Sequence, residues 1–249
     1  MTMMNITLHN KTAIVTGAAT GIGRAVAIML GQAGARVIVN HLNRACEADQ
    51  VVQAIAAAGG QAVAIEADVT SAHQVRQMVK SCDQIDILVN NAGVIAEKPF
   101  LDITEAEWDH VLDSDLKSVF LCSQAVLSRM AAQGAGIIVN ISSDLGYLGR
   151  AHYASYCAAK AGVIGLTRSL AREFAPAIRI NAVAPGPVNT AMLSTASMSM
   201  EWIAKEKDIP CQRFAEPDEI AATVLFLASD YARFYCGQVL GPNGGSVMP

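Results

Sequence analysis

Seven short apolar runs alternate along this chain with longer stretches of helical periodicity. The apolar runs lie at residues 12–16, 36–40, 62–66, 85–90, 136–142, 179–184 and 238–240. The helical stretches between them include residues 23–33, 47–58 and 153–174. Strands that alternate with helices form βαβ units, whose right-handed crossovers build a parallel sheet covered by helices. The alternation therefore predicts a single α/β domain over residues 1–249, a doubly wound parallel sheet of about seven strands with helices on both faces.

The composition suits such a domain and argues against several functional classes. Hydrophobic residues make up 52% of the 249 residues and charged residues only 16%, as in one large domain with a well-buried core. The net charge of −4 argues against a nucleic-acid surface or a polybasic membrane anchor. Residues 1–10 do not resemble a signal peptide, and no apolar run reaches the ~18 residues that span a bilayer. We expect a cytoplasmic protein without nucleic-acid or membrane partners.

The cysteines and histidines give no support to a metal site. The six cysteines are scattered without a CxxC pair, and the five histidines lack metal-ligand spacing. In a cytoplasmic chain we expect the cysteines to be reduced and packed as small apolar residues. We therefore predict that no metal is bound.

A glycine-rich turn joins the first predicted strand to the first predicted helix. It reads Gly17-Ala-Ala-Thr-Gly21-Ile-Gly23, and Val26 stands where the third glycine of the commoner GxGxxG pattern would fall. Glycines allow close approach of the backbone, and the N-terminus of a helix attracts an anion. In the first βα turn of an alternating chain, this loop predicts a dinucleotide pyrophosphate site. An ordinary βα turn is the alternative.

The end of the second predicted strand should face the adenosine ribose. An acidic residue there binds the 2′-hydroxyl of NAD, whereas an arginine accommodates the 2′-phosphate of NADP. The strand is followed by His41-Leu-Asn43-Arg44, with no carboxylate before Glu47. We therefore predict that NADP(H) is preferred, with Arg44 near the phosphate, and that NAD(H) is the alternative.

Tyr156 and Lys160 lie four residues apart in a predicted helix, and Ser143 ends a predicted strand 13 residues before Tyr156. Positions i and i+4 share a helix face, so the ammonium should lie beside the phenol and lower its pKa. An unperturbed tyrosine titrates near ~10, too high for efficient proton transfer at neutral pH. A surface tyrosine and lysine on an alanine-rich helix is the alternative for this pair taken alone.

With Asn91-Ala92-Gly93 between the glycine loop and Ser143, these motifs resemble the short-chain dehydrogenases/reductases over nearly the whole chain. The closing stretch, residues 213–245, is similar to the β-ketoacyl–acyl carrier protein reductases and the related sugar and alcohol dehydrogenases. The resemblance implies a Rossmann-type fold and a homotetramer. The cofactor contacts that it implies are Gly17, Thr20, Gly21, Ile22, Gly23, His41, Asn43, Arg44, Asp68, Val69, Asn91, Ala92, Gly93, Tyr156, Lys160, Pro185, Gly186, Val188 and Thr190.

The resemblance also implies a reaction. A nicotinamide cofactor exchanges a hydride with a carbonyl carbon, Tyr156 supplies the proton, Ser143 binds the oxygen, and Lys160 lowers the tyrosine pKa and holds the ribose. Adjacent strand residues point to opposite faces, so only one of Ser142 and Ser143 should face the site, and the family pattern favours Ser143. The substrate would be a small carbonyl compound or alcohol.

Several points about that substrate stay open. A 3-oxoacyl thioester, which an acyl carrier protein can present, or a small ketone is the first candidate. A sugar or polyol dehydrogenase is the alternative within the family. Basic residues at the site mouth would suit an acyl carrier protein; the candidates are Lys98, Arg129, Arg150 and Arg172. Residues 188–209, which contain Met192, Met198 and Met200, are predicted to form a substrate lid, with a helix-packing surface as the alternative.

Asp115 departs from the family pattern, which has an asparagine at this position. In the family that asparagine stabilises a helix kink and helps hold a water chain that leads from the lysine. An ionised aspartate has nearly the same shape but cannot donate a hydrogen bond, and a carboxylate near Lys160 would stabilise the ammonium. In one interpretation Asp115 is a tolerated near-isostere to which its neighbours adjust. In the other, the catalytic set of Ser143, Tyr156, Lys160 and Asp115 has a slower turnover or an altered pH dependence, which Asp115→Asn would reverse. A weakly active nucleotide-binding scaffold is a further alternative.

Overall fold

The computed structural model describes residues 6–193 and 199–248, and a parallel sheet of seven strands runs through them. The strands are β1 (Thr12–Val15), β2 (Arg36–His41), β3 (Gln61–Glu66), β4 (Ile87–Asn90), β5 (Gly136–Ile141), β6 (Ile178–Val183) and β7 (Val239–Leu240). Their order across the sheet is β3-β2-β1-β4-β5-β6-β7, and every pairing is parallel. The predicted fold class, a Rossmann-type doubly wound sheet, is confirmed.

Helices cover both faces of the sheet. They are α1 (Gly21–Gln32), α2 (Ala45–Ala57), α3 (Ala72–Lys80), α4 (Glu105–Leu112), α5 (Ser118–Gln133), α6 (Leu145–Leu148), α7 (Ala154–Phe174), α8 (Met200–Glu206) and α9 (Pro217–Ala228). One apolar core lies under α1, α2 and α9, and a second lies under α3, α5 and α7. Successive strand residues point to opposite faces, and Ile14 and Val15 of β1 accordingly belong to different cores.

The cysteines are distributed differently from the sequence-based expectation. Cys82 and Cys122 are buried, and burial raises the pKa of Cys122 to about 12. Cys46, Cys211 and Cys236 are exposed, so the expectation that all six pack as core residues is wrong. No pair is bonded among them, and no cluster of three or more metal-ligating side chains occurs in residues 6–193 and 199–248.

Membrane-spanning helices are also absent from the described part of the chain, where no helix is both long and apolar enough to cross a bilayer.

Candidate active site

The strand order changes direction between β1 and β4, and a cleft opens at the carboxyl ends of the strands. This is the position at which open α/β sheets bind their ligands. The cleft is lined by the glycine loop, by the segments after β4, β5 and β6, and by α7. The predicted site residues that line it are Gly17, Thr20, Gly21, Ile22, Asn91, Ala92, Gly93, Asp115, Ser143, Tyr156, Lys160, Pro185, Gly186, Val188 and Thr190.

The glycine loop has the geometry of a nucleotide cradle. Gly17 has a φ of +61°, and a Cβ at Gly23 would lie 2.4 Å from the carbonyl oxygen of Gly17. Thr20, the N-cap residue of α1, makes no capping hydrogen bond with its side chain, so it does not occupy the N–H groups at the start of the helix. Because a phosphate fits such an uncapped helix N-terminus, the residues present suit a dinucleotide.

Buried polar residues that the sequence reasoning missed hold this loop in place. Asn40, at 2% exposure, accepts a hydrogen bond from Gly17 N at 3.3 Å and donates to the Ala67 carbonyl at 3.0 Å. Thr16 Oγ1 accepts from Asn91 N at 2.9 Å and from Ala92 N at 3.0 Å. A polar residue at the end of an apolar run was the available signal for Asn40.

The remaining predicted cofactor residues lie outside the cleft lining, Gly23 in the first turn of α1 and the others at or just after the ends of β2 and β3. His41 is buried and its Nδ1 accepts from Arg44 N at 3.4 Å. Asp68 Oδ1 accepts from the backbone N–H of Thr70 at 2.8 Å. Val69 is buried, and Gly23 is buried beneath the loop. Their role as cofactor contacts stays a prediction.

The structure places more carboxylates near the end of β2 than the sequence that follows this strand indicates. Glu66 of β3 pairs in register with His41, and its Oε1 accepts from Asn43 N at 3.3 Å. Arg44 is exposed and forms an ion pair of 2.9 Å with Glu47. Two carboxylates therefore flank the predicted 2′-phosphate position, whereas the chain order alone indicated none before Glu47. Sequence reasoning missed Glu66 because the parallel register of two strands brings it there.

Tyr156, Lys160 and Ser143 meet in the cleft. On α7, Lys160 Nζ lies 5.5 Å from the centre of the Tyr156 ring and donates to the Ile141 carbonyl at 3.3 Å. Ser143, two residues after the end of β5, lines the same cleft. Ser142 also lines the cleft, but it donates its hydroxyl to the Lys160 carbonyl at 2.8 Å, whereas Ser143 donates to Asp144 Oδ1 at 3.1 Å.

Burial and charge act in opposite directions on this pair. Burial raises the pKa of Tyr156 above its ordinary value, while Lys160 lowers it and Asp115 raises it further. The expected lowering by Lys160 is therefore present but is outweighed by burial. Burial alone would lower the pKa of Lys160, yet the charges of Asp115 and Tyr156 raise it overall. Lys160 is thus held as an ammonium beside the phenol.

Asp115 is fully buried and forms an ion pair with Lys160. It lies in a π-helical turn, Asp113–Lys117, between α4 and α5. Oδ1 accepts from Val94 N at 2.7 Å, and Oδ2 lies 3.0 Å from Lys160 Nζ. No hydrogen bond from another described residue reaches Oδ2. The carboxylate that replaces the expected asparagine is a direct partner of the lysine.

Comparison with known proteins gives the family of the chain. The family model described as "Enoyl-(Acyl carrier protein) reductase" matches residues 17–246. The 3-oxoacyl-(acyl-carrier-protein) reductase FabG of Staphylococcus epidermidis is 43% identical over 244 residues, which cover 96% of this chain and 100% of that one. The chain belongs to the short-chain dehydrogenase/reductase family. It is therefore an oxidoreductase.

Solved structures agree with this assignment. A protein described as an NAD(P)-dependent gluconate 5-dehydrogenase from Beutenbergia cavernae, solved with NADP at low occupancy, has a TM-score of 0.91 and 37% identity, over 96% of this chain and 98% of that chain. A 7α-hydroxysteroid dehydrogenase, solved with NADH and 7-oxo glycochenodeoxycholic acid, has a TM-score of 0.92 and 35% identity, over 98% of this chain and 97% of that chain. Members with this fold thus differ in substrate and in cofactor.

In this dehydrogenase/reductase, further polar side chains line the cleft. Arg150, from the turn before α7, forms a two-pronged ion pair with Glu206 of α8, whose side chain is only 5% exposed. The Arg150 guanidinium also lies over the Tyr153 ring, and the Tyr153 hydroxyl donates to Glu97 at 2.9 Å. Sequence reasoning missed Glu206 and Tyr153, since contacts across 56 residues leave no local pattern.

The other basic candidates are placed differently. Arg129 donates to the carbonyls of Val79 and Cys82, so it fixes the end of α3 and does not face the cleft. Lys98 pairs with Glu107 at 2.7 Å, and Arg172 is exposed on α7. Of the four, only Arg150 lines the cleft of this family member.

Residues 188–193 and 199–209 of the segment predicted as a lid belong to the described part of the chain. Val188, Thr190, Met192 and Leu193 line the cleft, and Glu206 of α8 reaches it. Residues 194–198, which include Met198, lie outside the described residues. Met192 is 50% exposed and Met200 82% exposed. The lid stays a prediction.

Proposed function

We propose that the chain is an NADP(H)-preferring reductase of a 3-oxoacyl thioester or a small ketone. The observation that carries the proposal is that Ser143, Tyr156 and Lys160 share one cleft with the glycine loop. The 43% identity to a 3-oxoacyl-(acyl-carrier-protein) reductase over almost the whole chain supports the substrate class. An acyl carrier protein would then present the thioester.

The chemistry assigns one task to each side chain. A nicotinamide dinucleotide, when bound, supplies the hydride for the carbonyl carbon. Tyr156 gives its proton to the carbonyl oxygen, and Ser143 donates a hydrogen bond to that oxygen as negative charge develops. The Lys160 ammonium stabilises the phenolate that remains, which is why its burial beside the ring matters. In the reverse direction the phenolate accepts the alcohol proton.

The proposed NADP(H) preference rests on Arg44. Its ion pair with Glu47 joins two exposed side chains, and water and salt screen such surface pairs so that they hold weakly. Arg44 can therefore exchange Glu47 for a 2′-phosphate. Glu66 opposes this preference by its negative charge, so the balance between Arg44 and Glu66 decides which dinucleotide binds more tightly.

A sugar or polyol dehydrogenase is the second candidate, and one observation favours it. The substrate side of the cleft carries Asp144, Arg150, Tyr153 and Glu206, and these groups would bind hydroxyls better than an alkyl chain. The scaffold alternative is less well supported, because Asp115 retains Lys160 as an ammonium next to Tyr156.

We also propose that the molecule assembles as a homotetramer. Several large apolar side chains are exposed on the described surface, among them Phe100 at 65%, Leu101 at 93% and Phe234 at 99%. Burying these side chains against other copies would remove apolar surface from water. Light scattering coupled to size-exclusion chromatography measures the mass directly, and a monomer mass would contradict this proposal.

The decisive experiment follows NADPH absorbance at 340 nm with a panel of carbonyl compounds. Acetoacetyl thioesters on coenzyme A and on acyl carrier protein, small ketones and keto-sugars are compared, with the corresponding alcohols and NADP⁺ for the reverse reaction. We expect the highest kcat/KM with the acetoacetyl thioester and loss of activity in Tyr156→Phe. A higher kcat/KM with sugars would favour the second candidate. No turnover with any compound would favour the scaffold.

A further inference from the structure

Asp144 is a buried carboxyl group in contact with the catalytic set. It follows Ser143 in the chain, lines the same cleft and is 7% exposed. Both oxygens accept hydroxyl hydrogen bonds: Ser143 Oγ lies 3.1 Å from Oδ1, and Ser246 Oγ lies 2.6 Å from Oδ2. Ser246 comes from the segment after β7, so two distant parts of the chain hold this carboxyl in place.

The hydrogen bonds of Ser143 leave it with no free proton. A serine hydroxyl has one proton and two lone pairs. The Ser143 oxygen accepts from Leu145 N at 3.2 Å, and its proton is directed at Asp144. A hydrogen bond to an ionised carboxylate is roughly twice as strong as a neutral one. In this arrangement Ser143 cannot donate to a substrate oxygen, although carbonyl reduction needs that donation.

We propose that Asp144 is a positioning residue that controls the direction in which the Ser143 hydroxyl donates. While Asp144 is ionised, it holds the Ser143 proton. When Asp144 takes up a proton from solvent, it becomes the donor to Ser143 Oγ, and the Ser143 proton turns toward the substrate oxygen. The only covalent change is the new O–H bond of Asp144. The inference rests on the proposed role of Ser143 in the reaction.

The surroundings of Asp144 favour the protonated form more than water does. Burial raises the pKa of Asp144, against the lowering effects of the hydrogen bonds from Ser246 and Ser143. The titratable groups that face it are Arg150 from the turn before α7, Tyr156 and Cys157 from α7, and, through its ion pair with Arg150, Glu206 from α8. Burial outweighs the lowering effects of these hydrogen bonds and of the Arg150 charge, so the pKa of Asp144 lies above its ordinary value.

A titration that requires no enzyme activity tests whether the Ser143 hydroxyl donates its proton to Asp144. Infrared difference spectra of the carboxyl band, assigned with Asp144→Asn, give the pKa of Asp144 in the whole protein. We expect Ser143→Ala to raise that pKa by roughly one pH unit, because the carboxylate loses a charge-assisted donor. Ser81→Ala, a surface change on a hydroxyl bonded to the Met78 carbonyl, should leave it unchanged. An unchanged pKa in Ser143→Ala would overturn the proposal.

Kinetics test the consequence for turnover. The amide introduced by D144N donates to Ser143 Oγ as the protonated acid does, but it does not titrate. We therefore expect the ratio of D144N to wild-type kcat/KM for reduction to rise with pH above the pKa that the infrared titration gives for Asp144, by up to about tenfold for each pH unit. Ser246→Ala should move the wild-type pH step upward, and Asp218→Asn, an exposed change on α9, should leave it in place.

Failure of the inference about Asp144 and failure of the proposed function give different results. A D144N ratio that is constant with pH, in an enzyme that reduces the carbonyl panel, overturns the inference and leaves the proposed function standing. A wild-type protein that reduces no compound of the panel contradicts the proposed function, and the infrared titration then decides the inference alone.

Discussion

Lys160 Nζ lies 3.0 Å from Asp115 Oδ2, and the two side chains are 5% and 0% exposed. Taking two charges out of water is costly, and a close pair with further hydrogen bonds offsets that cost. Val94 N and the Ile141 carbonyl supply those bonds, one to each partner. Asp115 therefore offsets part of the lowering that the Lys160 ammonium exerts on the pKa of Tyr156.

The first prediction concerns the pH dependence of Asp115→Asn. Asp115 raises the pKa of Tyr156, so its removal should lower that pKa and increase the phenolate fraction at a given pH. Alcohol oxidation needs the phenolate, and we expect its kcat/KM profile to shift to lower pH. Asp113→Asn, which changes an exposed partner of Lys117 in the same turn, is the matched control. Superimposable profiles for Asp115→Asn and wild type would contradict the prediction.

The second prediction concerns stability. Asp115→Leu leaves a buried ammonium without its counter-ion, and breaking such a pair costs about 3–5 kcal/mol. We expect a loss of that size in the free energy of unfolding measured with urea. The double variant Asp115→Leu with Lys160→Met should be more stable than Asp115→Leu alone, because no uncompensated charge remains. Equal losses in the single and double variants would show that the ion pair is not responsible.

The third prediction concerns the choice of cofactor at the end of β2. Arg44→Ala should raise the KM for NADPH about tenfold, the effect of about 1.4 kcal/mol, with little change for NADH. Glu66→Gln should lower the KM for NADPH, since it removes a negative charge beside the 2′-phosphate position. Steady-state kinetics with both cofactors measure both effects. Equal changes for NADPH and NADH in Arg44→Ala would show that Arg44 does not contact the phosphate.

The spacing of residues along one helix predicts their neighbours well, and the spacing between elements does not. Tyr156 and Lys160 meet because four residues make about one turn of α7. Glu66 reaches Asn43 only through the register of β2 and β3. Glu206 reaches Arg150 only through the packing of α8 over the cleft. The seven strands were predictable because each is a short apolar run, whereas these polar contacts across elements have no such pattern.

The fourth prediction uses two glycines as a matched pair. A Cβ at Gly23 would lie 2.4 Å from the Gly17 carbonyl oxygen, whereas one at Gly165 would meet nothing within 4 Å. Gly23→Ala should therefore disrupt the loop and weaken NADPH binding at least tenfold, as measured by fluorescence titration. Gly165→Ala lies inside α7 and should preserve binding while stabilising the fold by about 0.5–1 kcal/mol. Unaltered binding in Gly23→Ala would rule out the proposed cradle.

The fifth prediction concerns the ion pair of Arg150 and Glu206. Glu206→Gln removes the buried partner of a cation that is 24% exposed, and we expect a loss of about 1–3 kcal/mol in unfolding free energy. Because both residues line the part of the cleft proposed for the substrate, KM for the carbonyl compound should rise while KM for NADPH stays the same. Glu201→Gln, an exposed change in the first turn of α8, serves as the control. A change in KM for NADPH alone would place the pair on the cofactor side.

The reversal of strand order between β1 and β4 separates the residues proposed to select the cofactor from those proposed to select the substrate. The residues proposed to select the dinucleotide lie on one side of that point, Glu66 at the end of β3 and Arg44 after β2, and those proposed to face the substrate, Arg150 and Glu206, follow strands on the other side. Changes in groups that share no partner combine additively in free energy. A redesign of coenzyme use can therefore proceed without repeating the redesign of substrate choice, and a lineage with this fold can acquire either one first.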